Sequence, residues 1–320
     1  MTSPPHVCVY LQSDRGPFTV DPAQIERLRG HFPRLCIRAV YSEEEFVACL
    51  PRAETVTTWV FKREWYGMAQ RLKAVLTPAA GSEWVAGAPS GRVPIFHGTF
   101  HGYLIRESLL GAMLYFNRRM YEMAGLQREH RWDHGPLEST VLLEGQHVLF
   151  AGYGSIGRKC ASLLRSFGMS MSGLQRTRKQ GSDPATGVDY VTAEHLERDL
   201  ARADHVVAIL PADPSTDNLF GRGQFAAMQS TAYFYNYGRG NCCDQEALAN
   251  ACAKRHIAGA ALDVFEREPL EPRSPLWDLP NVLITPHASC VYRNYLPLYF
   301  REVTGILADL YKNTVQGRTP

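Results

Sequence analysis

Short apolar runs alternate with amphipathic segments along almost the whole chain, and this alternation narrows the fold more than any other feature. "HVCVYL" (6–11), "LCIRAV" (35–40), "TVTTWVF" (55–61), "LKAVLT" (72–77) and "VPIFHG" (93–98) read as strands, with helices at 22–30, 43–50 and 64–71 between them. Strand alternating with helix implies a mainly parallel sheet. A longer helical pattern follows at 103–123, where Leu109, Met113, Phe116 and Met120 fall at helical spacing. An irregular stretch, 124–144, comes next. A second α/β series then runs from His147 to about Pro286, with strands at 147–151, 169–174, 205–210, 231–236, 257–263 and 281–285. A last helix, near 291–312, is expected to return to the first unit. The 320 residues are about twice a typical domain, so two domains are expected.

The composition excludes several classes. Apolar residues make up 45% and charged residues 21%, as in ordinary globular proteins. The net charge of +2 argues neither way about nucleic acid. The arginine excess is more simply explained by genome base composition than by phosphate binding, so no nucleic-acid partner is expected; no membrane partner is expected either, since no stretch approaches about 18 uninterrupted apolar residues. The eight cysteines form no C-x-x-C pair and sit mostly in apolar contexts, the pattern of reduced, buried thiols. The start "MTSPPHVCVYLQSD" lacks the basic and long apolar regions of a signal peptide, so a cytoplasmic protein is the expectation.

The most informative turn is "GYGSIG", which gives Gly152-x-Gly154-x-x-Gly157 between a strand and a helix. The first glycine allows a tight turn, the second lets backbone approach a pyrophosphate, and the third lets helix and strand pack closely. Phosphate would rest on free amides near Ser155 and Ile156. A carboxylate is expected about 20 residues further on, to hold the adenosine ribose. Gln175 stands there instead, followed by Arg176, Thr177, Arg178 and Lys179. Gln175 removes the repulsion that a carboxylate exerts on a 2′-phosphate. Arg176 can pair with phosphate through two charge-assisted bonds, and Thr177 with Arg178 or Lys179 could add a hydroxyl and a second cation. The expected cofactor is NADP(H), with NAD(H) possible.

Three motifs follow in order. "NYGRG" (236–240) puts Arg239 just beyond a strand, "ALDVFEREPL" (261–270) puts Glu268 beyond the next, and "LITPH" (283–287) puts His287 at the end of another. Ligands of open parallel sheets bind at the carboxyl ends of strands, so the three could converge. Reduction of a 2-keto acid needs a proton donor at the carbonyl oxygen, and a histidine, with an unperturbed pKa of about 6.5, suits that role. Glu268 could orient the imidazole and favour its charged form. Arg239 suits planar recognition of a carboxylate and can polarise the carbonyl.

With these residues in view, the chain resembles the D-isomer-specific 2-hydroxyacid dehydrogenase family. The resemblance rests on the glycine turn, "LPADPST" (210–216), "NYGRG", "LDVFEREPL", "SPLW" (274–277) and "TPH", and covers about 145–290. "QRTRK" and "REPLEPRSPLW" look most like the NADPH-dependent glyoxylate/hydroxypyruvate reductases. The resemblance implies two Rossmann- or flavodoxin-like α/β domains, with the cofactor domain (103–290) inserted into a substrate domain (1–102 and 291–320). It implies a homodimer that uses the 103–123 helix and the arm after it. It also implies cofactor contacts from Leu210, Pro211, Thr216 and Asp263, the last at the nicotinamide carboxamide. The substrate would be a small 2-keto or 2-hydroxy acid of the glyoxylate or hydroxypyruvate type. A bulkier keto acid, another oxyanion, or a non-catalytic dinucleotide-sensing corepressor role is the alternative.

The first domain departs from the family pattern. Where the family's substrate loop reads Gly-x-Gly-x-Asp, "TPAAGSEWV" (77–85) aligns as Ala79-x-Gly81-x-Glu83. Amides around Ala80, Gly81 and Ser82 could still receive a carboxylate. Arg293 reads equally as a second substrate ligand and as a surface arginine. His97 and His101 read as loop or helix-cap residues, with a place lining the cleft as the alternative. No metal site is expected, since His130 and His134 lack a third ligand. The pair Cys242–Cys243 reads as an accident of a helix start rather than a redox site.

Overall fold

Side chains ahead of the first helices start them where the pattern expects. Asp21 caps Pro22–His31, its carboxylate accepting from the Ala23 amide while the Gln24 side chain accepts from the Asp21 amide. Ser42 caps Glu43–Cys49 in the same way, through the Glu45 amide. The computed structural model describes residues 4–14, 16–176 and 180–312. The chain forms two compact units: one runs to His101 and resumes at Val291, and the other is Gly102–Cys290.

The first unit holds strands β1 (His6–Tyr10), β2 (Cys36–Ala39), β3 (Thr55–Thr58), β4 (Ala74–Thr77) and β5 (Ile95–His97). All are parallel, in the order β2-β1-β3-β4-β5. Phe46, Phe61 and Trp65 interlock edge to face in the core beside them. The last helix, Tyr295–Leu310, belongs to this unit. The hydroxyl of Tyr299 meets that of Thr57 at 2.6 Å, and Tyr311 meets Thr55 at 2.7 Å. Glu302 accepts from both the amide and the hydroxyl of Thr99. Each buried hydroxyl is thus matched, which offsets its desolvation.

The second unit holds β6 (His147–Ala151), β7 (Ser170–Leu174), β8 (Asp189–Val191), β9 (His205–Ala208), β10 (Tyr233–Asn236), β11 (Gly259–Leu262) and β12 (Val282–Ile284). The sheet is parallel, in the order β12-β11-β10-β9-β6-β7-β8, so the strand order reverses between β6 and β9. Apolar clusters cover both of its faces, which is why β6 and β9 are buried at every position.

Three elements differ from the pattern reading. The strand β8 was not expected: it is a three-residue edge, too short to show alternation. The expected 103–123 helix is two helices, His101–Asn117 and Met120–Arg128. Arg119 breaks it, with a left-handed φ of 54°, while its guanidinium pairs with Glu122 and lies over the Tyr121 ring. The expected 64–71 helix shortens to Trp65–Met68. No helix among the described residues is long and apolar enough to cross a membrane.

A polar network closes the amino-terminal edge of the larger sheet. The fully buried His205 imidazole lies 2.9 Å from the Tyr235 hydroxyl and 3.0 Å from Gln146 Oε1, which also accepts from Asn117. Burial pushes the pKa of His205 down to about 3. The unfolded chain, with a histidine pKa of about 6.5, therefore binds a proton that the fold refuses. The stability from neutral His205 is full above pH ~6.5 and declines by about 1.4 kcal/mol per pH unit as pH falls towards the folded value. Urea midpoints measured between pH 7 and pH 5 should fall on this account, and His205→Gln should flatten the slope. An equal slope in that variant would locate the acid sensitivity elsewhere.

Candidate active site

The residues singled out by sequence in the second unit lie where its strands end. Gly152 follows β6 with a φ of 91°. A Cβ there would come within 2.3 Å of the Ile209 carbonyl oxygen, so only glycine allows the β6 and β9 exits to meet. The helix Ser155–Leu164 starts at Gly154 with no side-chain cap, which leaves its first amides, near Ser155 and Ile156, unsatisfied by the helix itself. A Cβ at Gly154 would meet nothing within 4 Å, whereas one at Gly157 would press on Gly152 and Tyr153. The turn is therefore packed from behind and open in front, as an anion seat requires.

Behind the turn stands a group that the sequence reading missed. Tyr153, between the first two glycines, is buried, and its hydroxyl reaches Asp183 and Thr186. The Asp183 carboxylate also takes a 2.6 Å bond from Arg158 Nε, and that bond is the main cause of its lowered pKa. Neither Arg158 nor Asp183 belongs to a recognisable motif, so only the fold unites them.

Gln175 follows β7, and its side-chain amide donates to the Tyr153 carbonyl, inside the glycine turn. Arg176 is exposed. Asp213 has a pKa lowered first by the Ser215 hydroxyl and amide, with the Arg176 charge contributing, which sets Arg176 and the β9 exit loop on the same side. Thr177, Arg178 and Lys179 lie outside the described residues. Leu210 is buried beneath Gly238, and the Thr216 hydroxyl sits 2.8 Å from the carbonyls of Pro211 and Asp213, which closes that loop.

Arg239 leaves β10 on a turn shaped by Asn236. The Asn236 side chain accepts from the Gly238 amide and donates to the Arg239 carbonyl, each at 3.1 Å. The Arg239 guanidinium is half-buried and donates to the Gly238 carbonyl at 2.9 Å. Gly240 packs so tightly that a Cβ would fall 1.9 Å from the Phe265 carbonyl.

His287 follows β12 with a φ of 49°, rare for a residue with a side chain. Its amide donates to the Asp263 carbonyl at 2.8 Å. Its Nδ1 lies 2.8 Å from Glu268 Oε2, and Glu268 Oε1 accepts from the Phe265 amide at 3.1 Å. A carboxylate only accepts, so Nδ1 carries the hydrogen and Nε2 is left to face a ligand. Half of the His287 side chain is solvent-exposed. Asp263 is 1% exposed, and its carboxylate receives the Thr285 hydroxyl at 2.6 Å and the amides of Ala288 and Ser289. In this structure that carboxylate orders the histidine turn.

The remaining candidates sit in the first unit. Among the described residues, the amides of Ala80, Gly81 and Ser82 donate to no protein group, while the Ala79 amide is held by Thr77. Arg293 is exposed ahead of the last helix. His97 bonds the Ala79 carbonyl, and His101 is buried between the Gly98 carbonyl and the Tyr295 hydroxyl, which makes His101 a packing residue. Burial pushes the Cys242 thiol up to about 11 and that of Cys243 well above its ordinary value, so neither forms a ready thiolate. No group of three or more metal-ligating side chains occurs among the described residues.

Residues 110–289 match the family model described as D-isomer specific 2-hydroxyacid dehydrogenase, NAD binding domain. The chain is similar to glyoxylate/hydroxypyruvate reductase B of Escherichia fergusonii, 36% identical over 65% of each chain. It is also similar to glyoxylate reductase of Aeropyrum pernix, 32% identical over 70% of this chain and 69% of the relative. These matches thus span about two thirds of the relatives' length. Among solved structures, a probable 2-hydroxyacid dehydrogenase from Rhizobium etli, in complex with NADP, HEPES and L(+)-tartaric acid, superposes with a TM-score of 0.77 at 26% identity, over 97% of this chain and 95% of that one.

Gly240→Ala should lower the unfolding free energy by about 3 kcal/mol, because backbone on both sides of the contact must move. Thermal unfolding of the variant measures this, and a Tm equal to wild type would contradict the close packing described.

Proposed function

The chain belongs to the D-isomer specific 2-hydroxyacid dehydrogenase family, and from that premise we propose that it is an NADPH-dependent reductase of small 2-keto acids. The observation that carries the proposal is the 2.8 Å contact between His287 Nδ1 and Glu268, which leaves Nε2 as the proton-carrying atom at the ends of parallel strands.

Bound at the glycine turn, the nicotinamide cofactor supplies the hydride that such a reduction needs. The open face at Gly154 and the uncapped amides near Ser155 and Ile156 fit its phosphates. Leu210, Pro211 and Thr216 line the same cofactor site in this reading, and Asp263 lies beneath its nicotinamide end. Arg239 holds the substrate carboxylate and polarises the keto group. His287 delivers a proton from Nε2 to the carbonyl oxygen as it becomes the alcohol, while Glu268 stabilises the charged imidazole and fixes the ring. The product is the 2-hydroxy acid, of D configuration where its C2 is chiral. Amides of Ala80, Gly81 and Ser82 are the proposed carboxylate donors of the substrate domain (1–102 and 291–320), and a substrate no larger than glyoxylate or hydroxypyruvate is the first choice. Two copies are proposed to associate through the 103–123 helix region and the arm after it, where Trp132 is 93% exposed and Leu142 65%.

Oxidation of NADPH and NADH, followed in parallel against keto acids from glyoxylate to phenylpyruvate, tests the activity. Rapid turnover of a small acid is expected, and His287→Asn should lower kcat by about 10²- to 10⁴-fold, the usual weight of a general acid. Near-full turnover in that variant would remove His287 from the mechanism.

The cofactor preference rests on the missing carboxylate at Gln175 and on the exposed cation at Arg176. Arg176→Ala should raise the KM for NADPH by roughly tenfold and leave that for NADH nearly unchanged, as the loss of one charge-assisted pair implies. An equal effect on both cofactors would place Arg176 outside the 2′-phosphate site.

A further inference from the structure

Arg239 and His287 leave the sheet from strands that are not neighbours, since β11 lies between β10 and β12. Beyond the strand ends, the ladder no longer ties the two turns together. At their base the Asp263 amide donates to the Asn236 carbonyl at 3.1 Å, and the Asp263 carboxylate holds the histidine turn. Further out, a single residue of the helix His101–Asn117 touches both turns. The Ser108 hydroxyl donates to the Ser289 carbonyl at 3.2 Å, two residues beyond His287. The Ser108 carbonyl accepts from the Tyr237 hydroxyl at 3.3 Å, two residues before Arg239.

We propose that Ser108 and Tyr237 are positioning residues that couple the arginine turn to the histidine turn. This rests on the reading of Arg239 and His287 as the pair that handles one substrate.

Three features support it. Ser289 is held from two sides, its amide by Asp263 and its carbonyl by Ser108, and it is joined through Ala288 to a histidine already in a rare backbone conformation. A shift of Ser289 is therefore passed to the imidazole. Tyr237 is fixed in the same manner: its amide donates to the Ala208 carbonyl, its ring is buried, and its hydroxyl reaches the helix. Burial holds its phenol well above the ordinary range, so it stays a neutral donor through the working pH. The helix is a firm anchor, because Ile105, Leu109 and Ala112, which flank Ser108, are all buried. Apolar side chains could fill these positions as well. The hydroxyls add direction, and a proton donor and a carboxylate clamp need placement to within about half an ångström.

The test compares wild type with Ser108→Ala, Tyr237→Phe, the double variant and Ser108→Thr, which keeps the hydroxyl. Hydrogen exchange in the cofactor-free protein is followed in peptides covering 236–243 and 285–290, with 6–10 as a reference. Each single alanine or phenylalanine variant should quicken exchange in both peptides and leave the reference unchanged, and Ser108→Thr should restore the wild-type rates. In turnover, each single variant should lower kcat about three- to tenfold, the factor that one neutral hydrogen bond accounts for, with the cofactor KM unchanged and little further loss in the double variant. Exchange that quickens in one peptide alone, or single effects that multiply in the double variant, would overturn the coupling. If wild type reduces no keto acid, the catalytic reading falls, while the exchange rates still decide whether the two turns are coupled.

Discussion

One buried carboxylate organises the histidine side of the site. Asp263 gathers the Thr285 hydroxyl and the amides of Ala288 and Ser289, and its own carbonyl takes the His287 amide. A buried charge is costly unless hydrogen bonds replace its water, and here the donors all come from a single turn. That turn therefore adopts the one shape that surrounds the carboxylate. His287 has a positive φ as a result, a conformation that costs roughly 1–3 kcal/mol and persists only when its surroundings over-determine it. Glu268 meets Nδ1 of this histidine at 2.8 Å.

The two edges of the larger sheet divide the work. At the amino-terminal edge a polar network joins Gln146 Oε1 to Asn117 and His205, and His205 to Tyr235, while the His147 ring bonds Ser170 and Ser172. Its contribution is to stability. At the carboxyl-terminal edge, glycines let backbones touch, at Gly152 against Ile209 and at Gly240 against Phe265. Close backbone contact there packs the turns that carry Arg239 and the glycine motif tightly against their neighbours.

Much of this was legible in the chain itself. The parallel α/β architecture followed from alternation. The glycine turn and the ordered arginine, glutamate and histidine could be read because each lies in a short motif at a strand end. What could not be read depends on residues distant in sequence. Asp183 meets Tyr153 and Arg158 across 25 to 30 positions, and no local pattern announces it. β8 is an edge of three residues, and Arg119 breaks a helix without glycine or proline to signal the break. The burial of Cys242 and Cys243, set aside from sequence as an accident of a helix start, likewise needs the fold to be seen.

Gln175 carries a further consequence. Its side-chain amide is not idle at the exit of β7 but donates to the carbonyl of Tyr153, within the glycine turn. An aspartate or glutamate there, the simplest change towards a ribose that carries no phosphate, would set one oxygen acceptor against another. The turn would lose a donor and gain a repulsion at the Tyr153 carbonyl. Under the proposed cofactor reading, identity at position 175 is therefore tied to the integrity of the turn itself, and a carboxylate there would need a second substitution to supply the Tyr153 carbonyl with a new donor.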